Sequence, residues 1–238
     1  MEAHPVRSSD SPDSTGQQHR THSETTDRGQ SARRRSKSAD EIADAYADVA
    51  DDLARWRRLD ELFAGRYRRR QFEGATGRVL DVACGTGRNF RYLPSSSEVV
   101  GVDISDAVLA HARTELDRLD LDGSVRRMDA QALEFPDDSF DTVVSSFSTC
   151  TFPDPVAALR EMERVCAPDG EILLLEHGRS DAAPLAWLQD RRAESHYEKT
   201  GCRLDHDPLA TVERAGLAVE HTRTALFGLV TAVDAVPR

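Results

Sequence analysis

The feature that most constrains the fold is the alternation, after Gly77, of short apolar runs with helical stretches. Five runs are predicted as strands, at residues 78–82, 98–102, 124–128, 140–145 and 171–175. Helices are predicted at 87–93, 106–119 and 155–166, between successive strands. Strands that alternate with helices usually form a parallel sheet with helices on both faces. The region is therefore predicted to be an α/β domain.

The C-terminal part follows a different pattern. A short helix is predicted at residues 208–215, and two strands follow at 218–224 and 226–234. Because so short a connection cannot cross over a sheet, these two strands should be antiparallel to each other. They bring the predicted number of strands to seven.

The N-terminal residues 1–39 contain few apolar side chains and are predicted to be a disordered tail. The folded domain is predicted at 40–238. The residues Ser38-Ala-Asp-Glu41 are typical of a capping box at the start of a helix. Apolar residues then recur in steps of three and four, which predicts one long helix or two short ones packed on the domain. They are Ile42, Tyr46, Val49, Leu53, Trp56, Leu59, Phe63 and Tyr67.

Composition excludes some functions and locations. The net charge of −11 argues against a general nucleic-acid binder. The sequence has no apolar run long enough to span a membrane, and its N-terminal residues lack the apolar core of a signal peptide, so a cytoplasmic location is expected. The basic cluster at 33–37 leaves peripheral contact with an anionic membrane open. Because Cys84, Cys150, Cys166 and Cys202 form no C-x-x-C pair, we expect reduced thiols and no metal site.

A glycine-rich loop follows the first predicted strand, within residues 79–90. Gly85 and Gly87 permit backbone angles and close approaches that side chains would prevent. The dinucleotide fingerprint would require a third glycine where Phe90 stands, and the Gly-Lys-Ser/Thr of a phosphate-binding P-loop is missing. The loop therefore predicts a nucleotide-like ligand bound in another way.

Three carboxylates stand at the ends of three successive predicted strands: Asp81, Asp103 and Asp129. Ligands of open α/β sheets bind at this carboxyl edge. Asp103 can accept hydrogen bonds from both hydroxyls of a ribose, and Asp129 from an adenine amino group. A cluster of acids also suits a ligand that carries positive charge.

The motifs occur in a characteristic order: Asp81-Val-Ala-Cys-Gly-Thr-Gly87, Gly101-Val-Asp-Ile-Ser105, Asp129-Ala, Phe135-Pro-Asp-Asp-Ser-Phe-Asp141 and Ala167-Pro-Asp-Gly-Glu171. This series resembles that of class I S-adenosylmethionine-dependent methyltransferases, over residues 40–235. The resemblance implies a Rossmann-like, doubly wound sheet of seven mostly parallel strands with an antiparallel last strand. It also implies S-adenosylmethionine as cofactor and a small-molecule acceptor, with no nucleic-acid partner.

Within that superfamily the chain looks most like the branch of quinone C-methyltransferases, phospholipid N-methyltransferases and alkyl-thiol S-methyltransferases. The stretches Leu175-Glu-His-Gly178 and Thr200-Gly-Cys-Arg-Leu204 are closest to the thiol group. The family's first loop glycine is replaced by Ala83. The cofactor-binding residues that the resemblance implies are Tyr46, Asp81, Ala83, Gly85, Gly87, Asp103, Ile104, Asp129, Ala130 and Ser145.

The acceptor side gives weaker signals. His177 is the best acid–base candidate, because it follows strand 5 and its pKa suits proton transfer near neutrality. Two other classes stay open: a non-catalytic S-adenosylmethionine-binding regulator and an NAD-dependent oxidoreductase. Other acceptor-side candidates are Phe147, Thr149, Cys150, Trp187, His196, Tyr197 and His206.

Overall fold

The computed structural model describes residues 36–55 and 57–238, without the side chains of 57–59. Nearly all of the tail predicted at 1–39, and most of the basic cluster at 33–37, therefore lie outside the described residues. So do Trp56 and the side chain of Leu59, both members of the predicted apolar stripe.

A single seven-stranded sheet organises the domain, in the strand order β3-β2-β1-β4-β5-β7-β6. Strands β1 to β5 run parallel, whereas β7 is antiparallel to both β5 and β6. The predicted doubly wound sheet with an antiparallel last strand is thus confirmed. The strands are β1 (Arg78–Val82), β2 (Glu98–Asp103), β3 (Gly123–Arg127), β4 (Phe140–Ser146), β5 (Cys166–His177), β6 (Ala218–Ala225) and β7 (Val230–Val236).

Helices cover both faces of the sheet. They are α1 (Ala39–Arg55), α2 (Arg57–Phe72), α3 (Asp106–Leu119), α4 (Pro155–Val165), α5 (Ala183–Thr200) and α6 (Pro208–Ala215). The side chain of Asp154 caps α4 by accepting hydrogen bonds from the first turn, and Asp207 caps α6 in the same way. None of the helices in the described ranges is long and apolar enough to cross a membrane.

The helix predicted at residues 87–93 is wrong. Only a short 3₁₀ turn, Phe90–Tyr92, forms there. Gly87 takes a left-handed φ of +77°, and Leu93 is extended because Pro94 follows it. The glycine loop therefore leads into a compact turn and not into a long helix.

Successive residues of each strand point to opposite faces and form two cores. Leu80 of β1 and Val100 of β2 pack with α4 and α6 on one face, whereas Val79 and Val99 pack with α2 and α3 on the other. Both faces of the central strands are buried, as is typical of parallel sheets.

The N-terminal stripe forms two helices, one of the two predicted arrangements. The capping box is confirmed: the Glu41 amide donates to Ser38 Oγ at 3.2 Å, and the Ser38 amide donates to Glu41 Oε2 at 2.8 Å. Phe63, however, is 70% exposed and not packed on the domain. The buried face of α2 instead passes through Arg68 and Phe72, and Phe63 lies off that face.

Candidate active site

A cavity of about 310 Å³ opens at the carboxyl edge of the sheet. At this edge β1 lies between β2 and β4. The helix after β2 packs on one face of the sheet and the helix after β4 on the other. Open α/β folds bind their ligands at such a point. The walls come from the loop after β1, the ends of β2, β3 and β4, and helices α1 and α2. Seven of the ten predicted cofactor residues line it: Tyr46, Ala83, Gly85, Asp103, Ile104, Asp129 and Ala130.

The loop after β1 shows why its two glycines differ in role. Gly85 has a φ of +56°, and a Cβ built on it would meet no atom within 4 Å. It therefore leaves open space beside the cavity that it lines. A Cβ on Gly87 would come within 2.7 Å of the Phe90 ring, and Gly87 does not line the cavity. Gly87 thus serves packing, while Gly85 leaves room for a ligand.

The carboxylate of Asp103 ties this loop to the end of β2. Its Oδ2 accepts a hydrogen bond from the Gly85 amide at 2.9 Å, and its Oδ1 accepts one from the Ser105 amide at 3.0 Å. Burial raises the pKa of Asp103, although both backbone bonds oppose that shift. Each oxygen keeps further acceptor capacity for a hydroxyl in the cavity.

The end of β3 contributes a second carboxylate. Asp129 Oδ1 accepts a hydrogen bond from the Gln131 amide at 2.9 Å, which orients its side chain. Met128 and Ile104 line the cavity beside it and supply apolar surface suited to a planar ring.

A buried polar network lies under the glycine loop. Asp81 Oδ1 accepts from Asn89 Nδ2 at 2.9 Å, and Asn89 Oδ1 accepts from Arg68 Nε at 3.0 Å. Arg68 also pairs with Asp60, and both line the cavity. Asp81 itself is fully buried and does not line it. Burial raises its pKa to about 7.

Arg68 and Asn89 are residues that the sequence did not single out. The sequence signal that could have found Arg68 is its spacing of four residues from Phe72, which places both side chains on one face of a helix. In the structure both residues are buried. A charged side chain on the buried face of a helix needs a partner, and here Asp60 and Asn89 provide it. The pKa of Arg68 is lowered, chiefly by burial.

The third predicted residue outside the cavity is Ser145. Its hydroxyl donates to the Val82 carbonyl at 2.7 Å, so it joins β4 to β1. The neighbouring Ser146 and Ser148 line the cavity in its place. Ser148 is held by Glu176, whose Oε2 accepts from the Ser148 amide at 3.1 Å. Burial raises the pKa of Glu176 to about 7.

His177 is not among the residues that line the cavity. Its Nε2 lies 3.1 Å from the sulfur of Cys202, which in turn lies 3.5 Å from the sulfur of Cys150. The structure thus groups two of the acceptor-side candidates, Cys150 and His177, with Cys202 next to the wall of the cavity. The acid–base role of His177 stays a prediction.

Comparisons with known proteins agree with this architecture. A family described as a methyltransferase domain matches residues 80–174. The chain is 33% identical over 203 residues to the ubiquinone/menaquinone biosynthesis C-methyltransferase UbiE of Serratia proteamaculans, covering 78% of each chain. The chain therefore belongs to the class I S-adenosylmethionine-dependent methyltransferases, which excludes the oxidoreductase alternative at the level of family.

Two further comparisons show similarity over part of the chain or in the fold alone. Phosphatidylethanolamine N-methyltransferase of Cereibacter sphaeroides is 38% identical over 126 residues, which cover 52% of this chain and 61% of that relative's length. The crystal structure of the [4+2]-cyclase SpnF matches with a TM-score of 0.66 at 18% identity, over 85% of this chain and 97% of SpnF. At that identity the likeness shows the fold alone, and a fold does not determine a reaction.

The cavity fits the family's cofactor, S-adenosylmethionine. Asp103 and Asp129 line the cavity with carboxylate oxygens that can accept hydrogen bonds from hydroxyl and amino groups, and Gly85 leaves room at the loop. Asp81 Oδ2 is buried and finds no hydrogen-bond partner within 36–55 and 57–238. A buried carboxylate oxygen without a donor is costly, and an ordered water or protonation of the carboxyl group would relieve it.

Proposed function

We propose that this protein transfers the methyl group of S-adenosylmethionine to a small-molecule acceptor: a thiol, a quinone precursor or a lipid amine. One observation carries the proposal: seven residues that the sequence motifs assign to the cofactor line one cavity at the carboxyl edge of the sheet. The relatives named for quinone and phospholipid methylation support two of the three acceptor classes.

In this proposal Asp103 accepts hydrogen bonds from the ribose hydroxyls, and Asp129 with the Ala130 amide binds the adenine edge. Ile104 packs on the adenine ring. Gly85 and Ala83 lie along the methionine part, below which Asp81 anchors Asn89 and Arg68. The bound cofactor supplies a methyl group on a positively charged sulfonium, which the carboxylates at this edge favour.

The protein's part in the reaction is alignment and the exclusion of water. Transfer from a sulfonium is an in-line displacement, so the gain comes from holding acceptor and methyl carbon in one line. Tyr46 and Ile42 of α1 line the cavity and would shield the reacting atoms from solvent. A base is required only where the acceptor must lose a proton, as in thiol methylation near neutral pH.

Calorimetry with the full chain and S-adenosylmethionine tests the first half of the proposal. We expect one bound molecule per chain. Asp103→Ala should weaken binding, whereas Asp169→Ala, a matched change at an exposed aspartate, should leave it unaltered. Absence of binding by the folded wild-type protein would refute the proposal.

Transfer of labelled methyl groups across thiols, quinols, phospholipids and small amines tests the second half. Transfer to one class and not to the others identifies the acceptor. Cofactor binding without transfer to any of the four classes would favour the regulatory alternative.

A further inference from the structure

The cluster of sulfur and imidazole next to the cavity brings together three distant parts of the chain. Cys150 lies in the loop after β4, His177 is the last residue of β5, and Cys202 follows the end of α5. The two sulfur atoms and a ring nitrogen of His177 all lie within 4.8 Å of one another. Cys150 is buried, and the other two residues are partly buried.

We propose that Cys150, His177 and Cys202 form a binding site for a soft divalent metal ion, with Zn²⁺ as the ion that fits best. Two thiolates and one imidazole are ligands that zinc prefers. Hard cations such as Mg²⁺ and Ca²⁺ prefer oxygen ligands instead. The site is separate from the proposed methyl-transfer cavity, because none of the three residues lines it.

The distances are close to those of a tetrahedral centre. Zinc bonds of about 2.3 Å to sulfur and about 2.0 Å to nitrogen imply separations of about 3.8 Å between two sulfurs and about 3.6 Å between sulfur and nitrogen. The structure has 3.5 Å between the two sulfurs and 3.1 Å from Cys202 Sγ to His177 Nε2. These two pairs of ligands therefore need to move apart by only a few tenths of an ångström to admit the ion, and the third pair, Cys150 and His177, lies within 4.8 Å.

The partners of Cys202 support metal binding. Its sulfur lies 3.5 Å from the sulfur of Cys150 and 3.1 Å from Nε2 of His177, and it is also hydrogen-bonded to His196. Zinc binding releases the thiol protons, because a thiolate is the form that binds a metal. A water molecule would supply the fourth ligand of a tetrahedral centre.

The metal would fix a wall of the cavity. The loop that carries Cys150 also carries Ser148 and Thr151, both of which line the cavity. At present a backbone bond from the Arg203 amide to the Cys150 carbonyl, 3.1 Å long, joins this loop to the segment after α5. A bound ion would add a stronger link among the same segments and the end of β5.

A disulfide between Cys150 and Cys202 is the competing interpretation. It requires an oxidant to remove two electrons and two protons from the pair of thiols, and it makes no use of a third ligand. The contact of His177 with Cys202, and the second histidine beside it, favour the metal. A disulfide is accordingly one of the outcomes that the experiment must separate.

Metal content of the untagged full chain tests the proposal. Protein treated with chelator and reductant is titrated with Zn²⁺ against a chromophoric chelator, and bound zinc is counted by elemental mass spectrometry. We expect one ion per chain. Cys202→Ser and His177→Ala should each weaken binding at least 100-fold, whereas the matched changes Cys166→Ser and His221→Ala should retain it. Circular dichroism of each variant verifies that it folds.

Cobalt substitution gives a test that needs no variant. Co²⁺ bound by this cluster should show the intense visible absorption of a tetrahedral site together with thiolate-to-cobalt charge transfer. Histidines elsewhere cannot give the second band. Absence of that band, zinc binding that persists in both cluster variants, or a Cys150–Cys202 disulfide found by peptide mapping in metal-free protein would overturn the proposal. Cofactor binding is measured separately, so the two proposals fail independently.

Discussion

Asp103 offers the sharpest test of the cofactor site, because its carboxylate has two separable functions. One is to hold Gly85 and Ser105 through their amides, at 2.9 and 3.0 Å. The other, proposed here, is to accept hydrogen bonds from both ribose hydroxyls. A hydrogen bond to a charged group contributes about 1.5–3 kcal/mol. Because part of this is offset by desolvation of the carboxylate, we expect the two ribose bonds together to contribute about 3–4 kcal/mol.

Each 1.4 kcal/mol corresponds to a factor of about ten in affinity, so Asp103→Ala should weaken binding by about 10²–10³-fold. Asp103→Asn should lose less, about tenfold, because it keeps one acceptor oxygen and the shape of the side chain. The loss arises because the side-chain NH₂ group of the asparagine cannot accept the hydrogen bonds that the second carboxylate oxygen of Asp103 accepts.

A 2′-deoxy analogue of the cofactor separates the two functions of Asp103. In the wild-type protein the missing hydroxyl should weaken binding, as measured by calorimetry. In Asp103→Ala the same analogue should bind as well as its parent, because the partner is already gone. An equal penalty for the analogue in both proteins would refute the ribose contact, and an unaltered affinity of Asp103→Ala for the parent compound would refute the site as a whole.

Three further predictions concern stability. Ala83 has a left-handed φ of +55°, a conformation that costs a residue with a side chain about 1–2 kcal/mol. Ala83→Gly should therefore stabilise the protein by up to about 1 kcal/mol, measured by urea unfolding. The control Ala110→Gly, on the exposed face of α3, should destabilise it by about 1 kcal/mol. Burial raises the pKa of Asp81 from 3.8 to about 7, so the native state binds more protons than the unfolded state between those values. The free energy of unfolding should therefore fall as pH rises from about 4 to 7. Asp81→Asn should show a weaker pH dependence of stability, and a slope equal to that of the wild-type protein would count against the buried charge. Leu174→Ala, at a fully buried residue of β5, should cost about 2–5 kcal/mol, against less than about 0.5 kcal/mol for Leu62→Ala at a side chain that is 73% exposed.

The sequence predicted the central sheet well because the signals there are local. The bounds of β1, α3 and α6 coincide with the predicted ones. In each case an apolar run or stripe is bordered by a residue that ends or caps it, such as Asp207 before α6. The carboxylates at the strand ends follow directly, because topology brings the ends of parallel strands to one edge.

Local signals were misleading where packing outweighs them. The fifth strand is predicted at 171–175, yet β5 already begins at Cys166, which pairs with Phe140 across a register shift. The glycine loop predicted a helix at 87–93, but the left-handed φ of Gly87 and the extended Leu93 before Pro94 leave only a short turn. The error at β5 arises from strand pairing, which a periodic pattern does not encode.

The Cys150–Cys202–His177 cluster shows the same limit for a site. The prediction that the cysteines form no metal site rested on the absence of close pairs along the chain. In the structure Cys150 and Cys202 are 52 residues apart in sequence, and His177 and Cys202 are 25 apart. The parallel pairing of β4 with β5 brings Cys150 near His177, and α5 separates His177 from Cys202 along the chain, so the spacing of ligands along the sequence could not reveal the cluster.

The loop after β4 is where the two proposed sites meet, and this has a consequence for how they interact. Glu176 of β5 accepts hydrogen bonds from the backbone of this loop, and Cys150 ties it to Cys202. On its other side, Ser148 and Thr151 line the cavity. A ligand can change the affinity at a second site only if it favours one conformation of an element that both sites share. This loop is such an element. Zinc should therefore tighten cofactor binding in proportion to how far it orders the loop, and by reciprocity the cofactor should tighten zinc binding by the same factor.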